Sequence, residues 1–317
     1  MSSVSTAHDA AALVEPARSS HAALPDATAR DAALPSLVTL DEVGRSDFNR
    51  RFIVTLADQS RVEAVLYRGD TLCVSTQVGC AVACPFCASG AEGLSRALTL
   101  AELQAQVLSV EALGLPLTRV TASGVGEPLH APDAVLPFLT WCRERGTPAS
   151  FTTSGGPLPR LVQFLNAPHN GATVSVHAGL PATRARLVPK APALDALFAT
   201  LGAELPKLSR KRRKKVALAY LLLAGENDSR EELDAFAALA RPLGVAVHLY
   251  QHNAVPTSSL HGATREAYER AYEQLRGEGL LVRMSSQARI EANGGCGTLV
   301  AAKGLARRAP VQLGTSR

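Results

Sequence analysis

No apolar run in this chain of 317 residues is long enough to cross a bilayer, which excludes a membrane-spanning helix. The segment 1–35 lacks a basic stretch followed by an apolar one, which excludes a secretory signal. Rich in Ala, Ser and Asp, it is expected to be a disordered tail. Cysteine is scarce: there are six, unevenly spaced, which excludes a disulfide scaffold and fits a reducing cytoplasm where thiols serve metals or catalysis. The fragment Gly124-Val125-Gly126 has no third glycine, so it is not a dinucleotide fingerprint. No internal repeat is present beyond an alternation of strands and helices.

What is present starts with those cysteines. Cys80, Cys84 and Cys87 form a C-x3-C-x2-C run with Phe86 before the last thiol. Structural zinc would want a fourth Cys or His at a fitting spacing, and none is adjacent. Three soft thiolates on one short loop suit an iron–sulfur cluster, with one iron left open for a substrate or cofactor. Of the other three, Cys142 beside Trp141 on a helical pattern reads as core. Cys73 lies on a strand seven residues before Cys80, and Cys296 sits in Asn293-Gly294-Gly295-Cys296-Gly297. Glycines on both sides permit close ligand approach, so Cys296 is a candidate nucleophile.

Strands are expected at 63–67, 71–75, 118–122, 149–153, 173–177, 216–223, 245–250 and 280–285. Helical patterns fall at 100–113, 131–145, 158–165, 230–243 and 265–278. Thr99 with Glu102 forms a capping box before the first, and Gly114, Gly146 and Gly244 close helices. About six strand–helix repeats predict an α/β fold with a parallel sheet, whose chemistry gathers at the C-terminal ends of its strands. Polar clusters follow the strands there: Ser123-Gly124-Val125-Gly126-Glu127-Pro128, Thr152 to Gly156, Ser175-Val176-His177-Ala178 and Gln251-His252-Asn253. The first is either a tight turn or a place where backbone approaches a cofactor while Glu127 accepts from an ammonium. Ser175 and His177 alternate on the expected strand and so share a face, where a lone His is commonly a satisfied core residue. Asn253 is equally open by itself.

The net charge of +5 hides an asymmetry, because residues 1–50 carry −3 and the remainder therefore +8. A basic body suits a polyanion. The run Arg210-Lys211-Arg212-Arg213-Lys214-Lys215 is either a solvated turn or a set of phosphate contacts.

Taken together, these residues resemble the RlmN/Cfr class of radical S-adenosylmethionine RNA methyltransferases. The match runs from Glu63 to Leu299 and is most specific over Thr71-Leu72-Cys73-Val74-Ser75-Thr76-Gln77-Val78-Gly79-Cys80 and on through Cys84 and Cys87. The triplet indicates only the radical-SAM superfamily; Cys73 and Cys296 narrow it, since this class uses two extra cysteines. Gly126-Glu127-Pro128-Leu129, Thr153-Ser154-Gly155, Ser175-Val176-His177-Ala178, Asn227-Asp228-Ser229 and Asn253 occur in the class's order.

The resemblance implies a partial (β/α)6 radical-SAM barrel over 71–305, with a short N-terminal extension at 36–70, a basic tail at 306–317 and a C-terminal strand and loop carrying a catalytic Cys. It implies a 4Fe–4S cluster on Cys80, Cys84 and Cys87, and S-adenosylmethionine held by Gly126, Glu127, Ser154, Ser175, Val176, His177 and Asn253. It further implies that Cys296 becomes S-methylcysteine, that its methyl carbon adds to C2 or C8 of an adenine in ribosomal or transfer RNA, that a Cys73–Cys296 disulfide resolves the adduct, and that Glu63 accepts a proton. Adenine ring carbons are too poorly nucleophilic for a methyl cation, which is why cofactor-supplied radical chemistry is needed. A soluble monomer, reduced by a donor such as flavodoxin and without a membrane partner, completes the expectation. Two stretches depart from the class: the region before the core is short and Ala-rich, and 284–293 lacks the usual charged pattern. The competing readings are the same chemistry on a non-RNA substrate and a cluster-stabilised RNA-binding protein without catalysis.

Overall fold

Alternating burial builds the first sheet layer: in Asn49–Leu56 the side chains of Phe52, Val54 and Leu56 are buried, with Arg51, Ile53 and Thr55 half-exposed between them. The structure is a computed structural model and describes residues 34–291, 293–294 and 297–300; Cys296 lies outside the described residues, as do 1–33 and 301–317. Three antiparallel strands, β1 (Val38–Arg45), β2 (Asn49–Leu56) and β3 (Arg61–Tyr67), lead into β4 (Thr71–Val74), which pairs antiparallel with β3. From β4 onward every neighbour in this sheet is parallel: β4, β7 (Arg119–Ala122), β8 (Ala149–Thr153), β9 (Gly171–Ser175), β10 (Val216–Leu222), β11 (Ala246–Gln251) and the short β12 (Val282–Met284). A separate hairpin, β5 (Gln77–Gly79) with β6 (Leu94–Ala97), clamps the base of the cysteine loop.

Helices α1 (Leu100–Ala112), α2 (Pro132–Glu144), α3 (Leu158–Asn166), α4 (Pro181–Leu187), α5 (Leu194–Glu204), the single turn α6 (Arg210–Arg213), α7 (Arg230–Ala240) and α8 (Arg265–Gly277) make the crossovers. The capping box forms as expected: Thr99 Oγ1 accepts from the Glu102 amide while the Glu102 carboxylate accepts from the Thr99 amide. Gly114, Gly146 and Gly244 take the left-handed conformation that ends a helix. One continuous core lies between sheet and helices, with Val174, Leu218, Val247 and Leu249 turned into it, and Cys142 is part of it. The opposite faces of β8, β9 and β11 carry half-buried Ser150, Thr152, Thr173, Ser175, His248 and Tyr250, so the concave side of the rolled sheet is polar. After β12 the chain returns to the N-terminal strands: Asn49 Nδ2 donates to the Ala288 carbonyl at 2.6 Å, and Val300 N–H to Glu63 at 3.0 Å.

The expected partial barrel is present, with corrections at its edges. Strands β1 and β2 and the β5–β6 hairpin were not predicted; β1 has mostly exposed or half-exposed residues, and its Asp41, Glu42 and Gly44 mask strand periodicity. Helices α4 and α5 were missed as well. Leu34 and Pro35, assigned to the tail, open a 3-10 turn, Leu34–Leu37, packed by α1. Strand β9 spans 171–175 rather than 173–177, so Ser175 and His177 do not share a strand face: His177 lies beyond the strand at φ 59°.

Candidate functional site

The C-terminal ends of β4, β7, β8, β9 and β10 bring the expected loops to one rim. The cysteine loop is shaped by backbone constraints. The Cys80 amide donates to the Gly93 carbonyl at 3.1 Å and Cys87 to Cys84 at 3.1 Å. Gly79 sits at φ +84°, and a Cβ there would lie 1.9 Å from the Gly93 oxygen, so only glycine fits. Phe86 is buried, with its ring edge-on to His177 at 5.3 Å, and Val82, Leu187, Val188, Leu221 and Leu223 complete an apolar bed packed by the three cysteines. Burial pushes the Cys80 thiol up to about 12 and raises Cys84 as well, so both stay protonated until a metal takes the proton's place.

Ser75, Thr76 and Gln77 dock onto the segment 124–127. Ser75 Oγ donates to the Glu63 carbonyl at 2.6 Å and accepts from the Val125 amide at 2.8 Å, while Gln77 Oε1 accepts from the Glu127 amide at 2.8 Å. A Cβ on Gly124 would meet Ser75 Oγ at 2.8 Å, and one on Gly126 would meet Gln77 Cβ at 2.7 Å. The chain's own segment 74–77 therefore requires glycine at both positions, as a tight turn would. Glu127 is buried and accepts three hydrogen bonds: Oε1 from Thr153 Oγ1 at 2.6 Å and the Leu129 amide at 3.1 Å, Oε2 from the Ser154 amide at 2.7 Å.

Arg184, on the unpredicted α4, is the site residue that sequence reasoning missed. Almost wholly buried, its guanidinium donates to the carbonyls of Ser154 (2.6 Å), Ser175 (2.7 Å) and Val176 (2.8 Å). Burial draws its pKa down to about 10, against the nearby Cys84 and Glu127. The available signal was weak: Thr183, Arg184, Leu187 and Val188 are spaced as one helical face with a cation in an apolar stripe. His177 is buried and held neutral, its pKa pulled to about 3 by burial and then by the Arg184 charge. Its Nδ1 accepts from the Leu221 amide at 2.9 Å, which assigns the ring proton to Nε2. Asn227 Nδ2 donates to the His177 carbonyl at 2.8 Å, and Asn253 Nδ2 to the Arg289 carbonyl at 3.0 Å.

Two further candidates lie on the flank. Glu63 is buried and takes two contacts of 2.7 Å from Arg51 Nη2. Burial raises its pKa, opposed by Arg51 and the Val300 amide. Cys73 is buried with Sγ 3.2 Å from Ser123 Oγ. Gly297, the residue after Cys296, accepts from the Ala88 amide at 2.8 Å, and a Cβ on it would lie 4.0 Å from Cys87 Sγ.

The donor set fits an iron–sulfur cluster: three cysteines on one loop, against an apolar bed. Among the described residues no three of His, Cys, Asp or Glu are grouped to hold a single metal ion, whereas a four-iron cluster gives each cysteine a different iron. The Ser154 hydroxyl is buried without a hydrogen-bond partner among the described residues, an unused donor and acceptor on the same rim that fits a polar cofactor.

A class of enzyme is defined by this geometry, and comparison agrees: residues 74–237 match the Radical SAM superfamily. A probable RNA methyltransferase from Chromobacterium violaceum is 34% identical over 263 residues, 80% of this chain and 72% of the relative. One from Azoarcus sp. (strain BH72) is 35% identical over 260 residues, 80% of this chain and 73% of the relative. A radical SAM methyltransferase from Sphaerobacter thermophilus, of known structure, is 29% identical with a TM-score of 0.74, covering 87% of this chain and 86% of that one. The chain belongs to the radical SAM superfamily and, within it, to the family of these methyltransferases. It is an enzyme whose cofactors are a 4Fe–4S cluster and S-adenosylmethionine. Among the described residues no helix is long and apolar enough to cross a membrane.

Proposed function

We propose that the protein methylates a ring carbon, C2 or C8, of an adenine in RNA by way of S-methylcysteine at Cys296. The RNA reading follows the names of the relatives from Chromobacterium violaceum and Azoarcus sp. and the basic body of the chain. When bound, the cluster and S-adenosylmethionine supply the methyl group and the one-electron chemistry that an unreactive ring carbon needs. The residues 71–305 form the catalytic core and 36–70 its extension.

Cys80, Cys84 and Cys87 hold the cluster in this reading. Ser154 offers its hydroxyl and Glu127 its remaining acceptor capacity to S-adenosylmethionine, with Gly126, Ser175, Val176, His177 and Asn253 around them. Cys296 carries the methyl group, whose carbon becomes bonded to the adenine ring. The Cys73 thiolate then attacks Cys296 Sγ of that adduct, and the Sγ–CH2 bond breaks as the Cys73–Cys296 disulfide forms. The electron pair left on the carbon takes a proton to give the product methyl, and an external thiol or electron donor afterwards reduces the disulfide. Glu63 receives the proton that leaves the ring carbon, and burial that raises its pKa makes it a better base. The five described cysteines form no disulfide with one another, which suits a reducing cytoplasm and a small electron donor such as flavodoxin. A monomer satisfies these roles.

The observation that carries the proposal is the meeting of the cysteine loop and the C-terminal loop, residue 88 bonded to residue 297. Liquid chromatography with mass spectrometry of RNA nucleosides, from cells with and without the gene, tests it directly. A methyladenosine lost with the gene and restored by wild type but not by Cys296→Ala is expected. Restoration by Cys296→Ala sinks the mechanism. Anaerobic reconstitution should load about four irons per chain; one zinc instead would end the cluster reading.

A further inference from the structure

On the side of the sheet away from the cysteine loop, the N-terminal ends of the strands surround a cavity of about 470 Å3. Its wall is polar, with Thr121, Ser150, Thr152, Thr173 and His248 turned inward. Its rim is basic. Arg68 follows β3, Arg119 opens β7, Lys214 and Lys215 precede β10, Arg283 lies on β12, and Arg289 follows it; one carboxylate, Asp70, faces them.

That carboxylate is already engaged, accepting from the hydroxyls of Thr71 at 2.9 Å and Thr118 at 2.8 Å. These two bonds, then the charges of Arg68 and Arg119, lower its pKa. Among the described residues Arg68, Arg119, Lys214 and Arg283 form no ion pair within 4.0 Å. The positive potential reaches inward: burial and then Arg283 and Arg289 draw His248 down to about 4. Arg68, Arg119, Lys214, Lys215 and Arg283 come from four separate stretches of chain and outnumber Asp70, the one carboxylate lining the cavity, an excess of positive charge that suits an external polyanion.

The cavity also carries a stacking group. The Arg289 guanidinium lies 5.4 Å from the Tyr67 ring centre and 5.5 Å from that of Tyr250, and all three line the cavity. From the wall a chain of polar atoms runs toward Cys73: Thr121 Oγ1 to Ser123 Oγ at 3.2 Å, and Ser123 Oγ to Cys73 Sγ at 3.2 Å.

We propose that this basic mouth is where single-stranded RNA enters, its phosphates on Arg68, Arg119, Lys214, Lys215 and Arg283 and one unstacked base in the cavity beside Tyr67, Arg289 and Tyr250. The inference rests on the RNA-methylation reading and deepens it. An unpaired strand is chosen because a cavity of this volume admits one nucleoside-sized group and not a duplex, and because aromatic and guanidinium planes favour splayed bases. It gives the run 210–215, left open by the sequence, a role through its last two lysines.

The test is fluorescence anisotropy of the reconstituted enzyme with a fluorescein-labelled single-stranded RNA of mixed sequence, across a salt series. Arg68→Ala/Arg119→Ala/Lys214→Ala/Arg283→Ala should weaken binding about tenfold or more and flatten the slope of log K against log salt by about 0.7 per lost contact. Arg230→Ala/Arg241→Ala/Arg265→Ala/Arg270→Ala, which removes as many cations from α7, α8 and the turn between α7 and β11, should stay within about twofold of wild type. Thermal melting establishes that each variant is folded; should the rim quadruple fail it, the single reversals Arg119→Glu and Arg283→Glu must each show the loss. Wild type that binds RNA, with a folded rim variant of equal affinity and slope, overturns the entrance and leaves RNA methylation standing. Wild type that binds no RNA at all overturns the substrate itself.

Discussion

Arg184 Nη2 donates to the carbonyl of Ser154 at 2.6 Å, while Nη1 of the same guanidinium spans the carbonyls of Ser175 and Val176. One planar cation thereby fixes the ends of β8 and β9 relative to each other. Arg184→Met keeps much of the volume and removes all three donors. A buried carbonyl left without a donor costs about 1–3 kcal/mol, so urea denaturation should show a loss of at least about 2 kcal/mol. Arg184→Lys keeps the charge without the fork and should recover only part. A lysine variant as stable as wild type would show that charge alone is enough.

Glu63 makes a pH dependence. Its folded-state pKa is raised, first by burial, over the opposing effects of Arg51 and the Val300 amide. The folded chain therefore holds this proton at pH values where the unfolded chain has released it. Its contribution to stability is full below the ordinary glutamate pKa and is lost as pH rises through the folded value. Glu63→Gln abolishes that segment of the curve. Arg51→Ala removes a lowering influence, so the loss should move to higher pH. Stability against pH for the three proteins checks the sign; an opposite shift in Arg51→Ala would refute the assignment.

Cys73 is buried beside Ser123. If it resolves the RNA adduct, Cys73→Ala should accumulate a covalent protein–RNA species, visible as a slow band on denaturing gels that nuclease removes. The band should vanish when Cys296→Ala is added. Full turnover in Cys73→Ala would exclude the resolving role.

Thr99 closes the N-terminus of α1, and Glu102 also pairs with Arg96 at 2.8 Å. Thr99→Ala should cost about 1 kcal/mol of unfolding free energy. Thr99→Ser should cost much less, because the hydroxyl acceptor remains. Neither substitution removes a thiol or the Cys80 amide bond to Gly93 that shapes the cysteine loop, so cluster loading should be unchanged in both.

Much of this architecture was legible because its signals are local. Thr99 with Glu102, and the glycines at 114, 146 and 244, mark helix ends by chemistry confined to a few residues. The continuous apolar run of β10 announces a strand buried on both faces. Strand β1 was not legible, since its exposed positions carry Asp41 and Glu42. Helix α4 was hidden for a different reason. It has seven residues, two of them arginines, and only the carbonyls of other elements explain why one arginine is interior. Gly126 shows the same limit: its need for glycine comes from Gln77, a contact that no spacing reveals.

The sequence alone determined the cysteine triplet and the alternation of strands and helices. Eight contiguous residues cannot separate in any fold, and hydrophobic periodicity acts over a turn or a pleat. Tertiary structure alone decided three things: the cation beneath Ser154, Ser175 and Val176, the contact of Gly297 with the cysteine loop, and the basic mouth opposite it. Each joins residues far apart in sequence. Their meeting depends on the parallel register of the sheet and on what burial demands, which is settled only when the whole chain has packed.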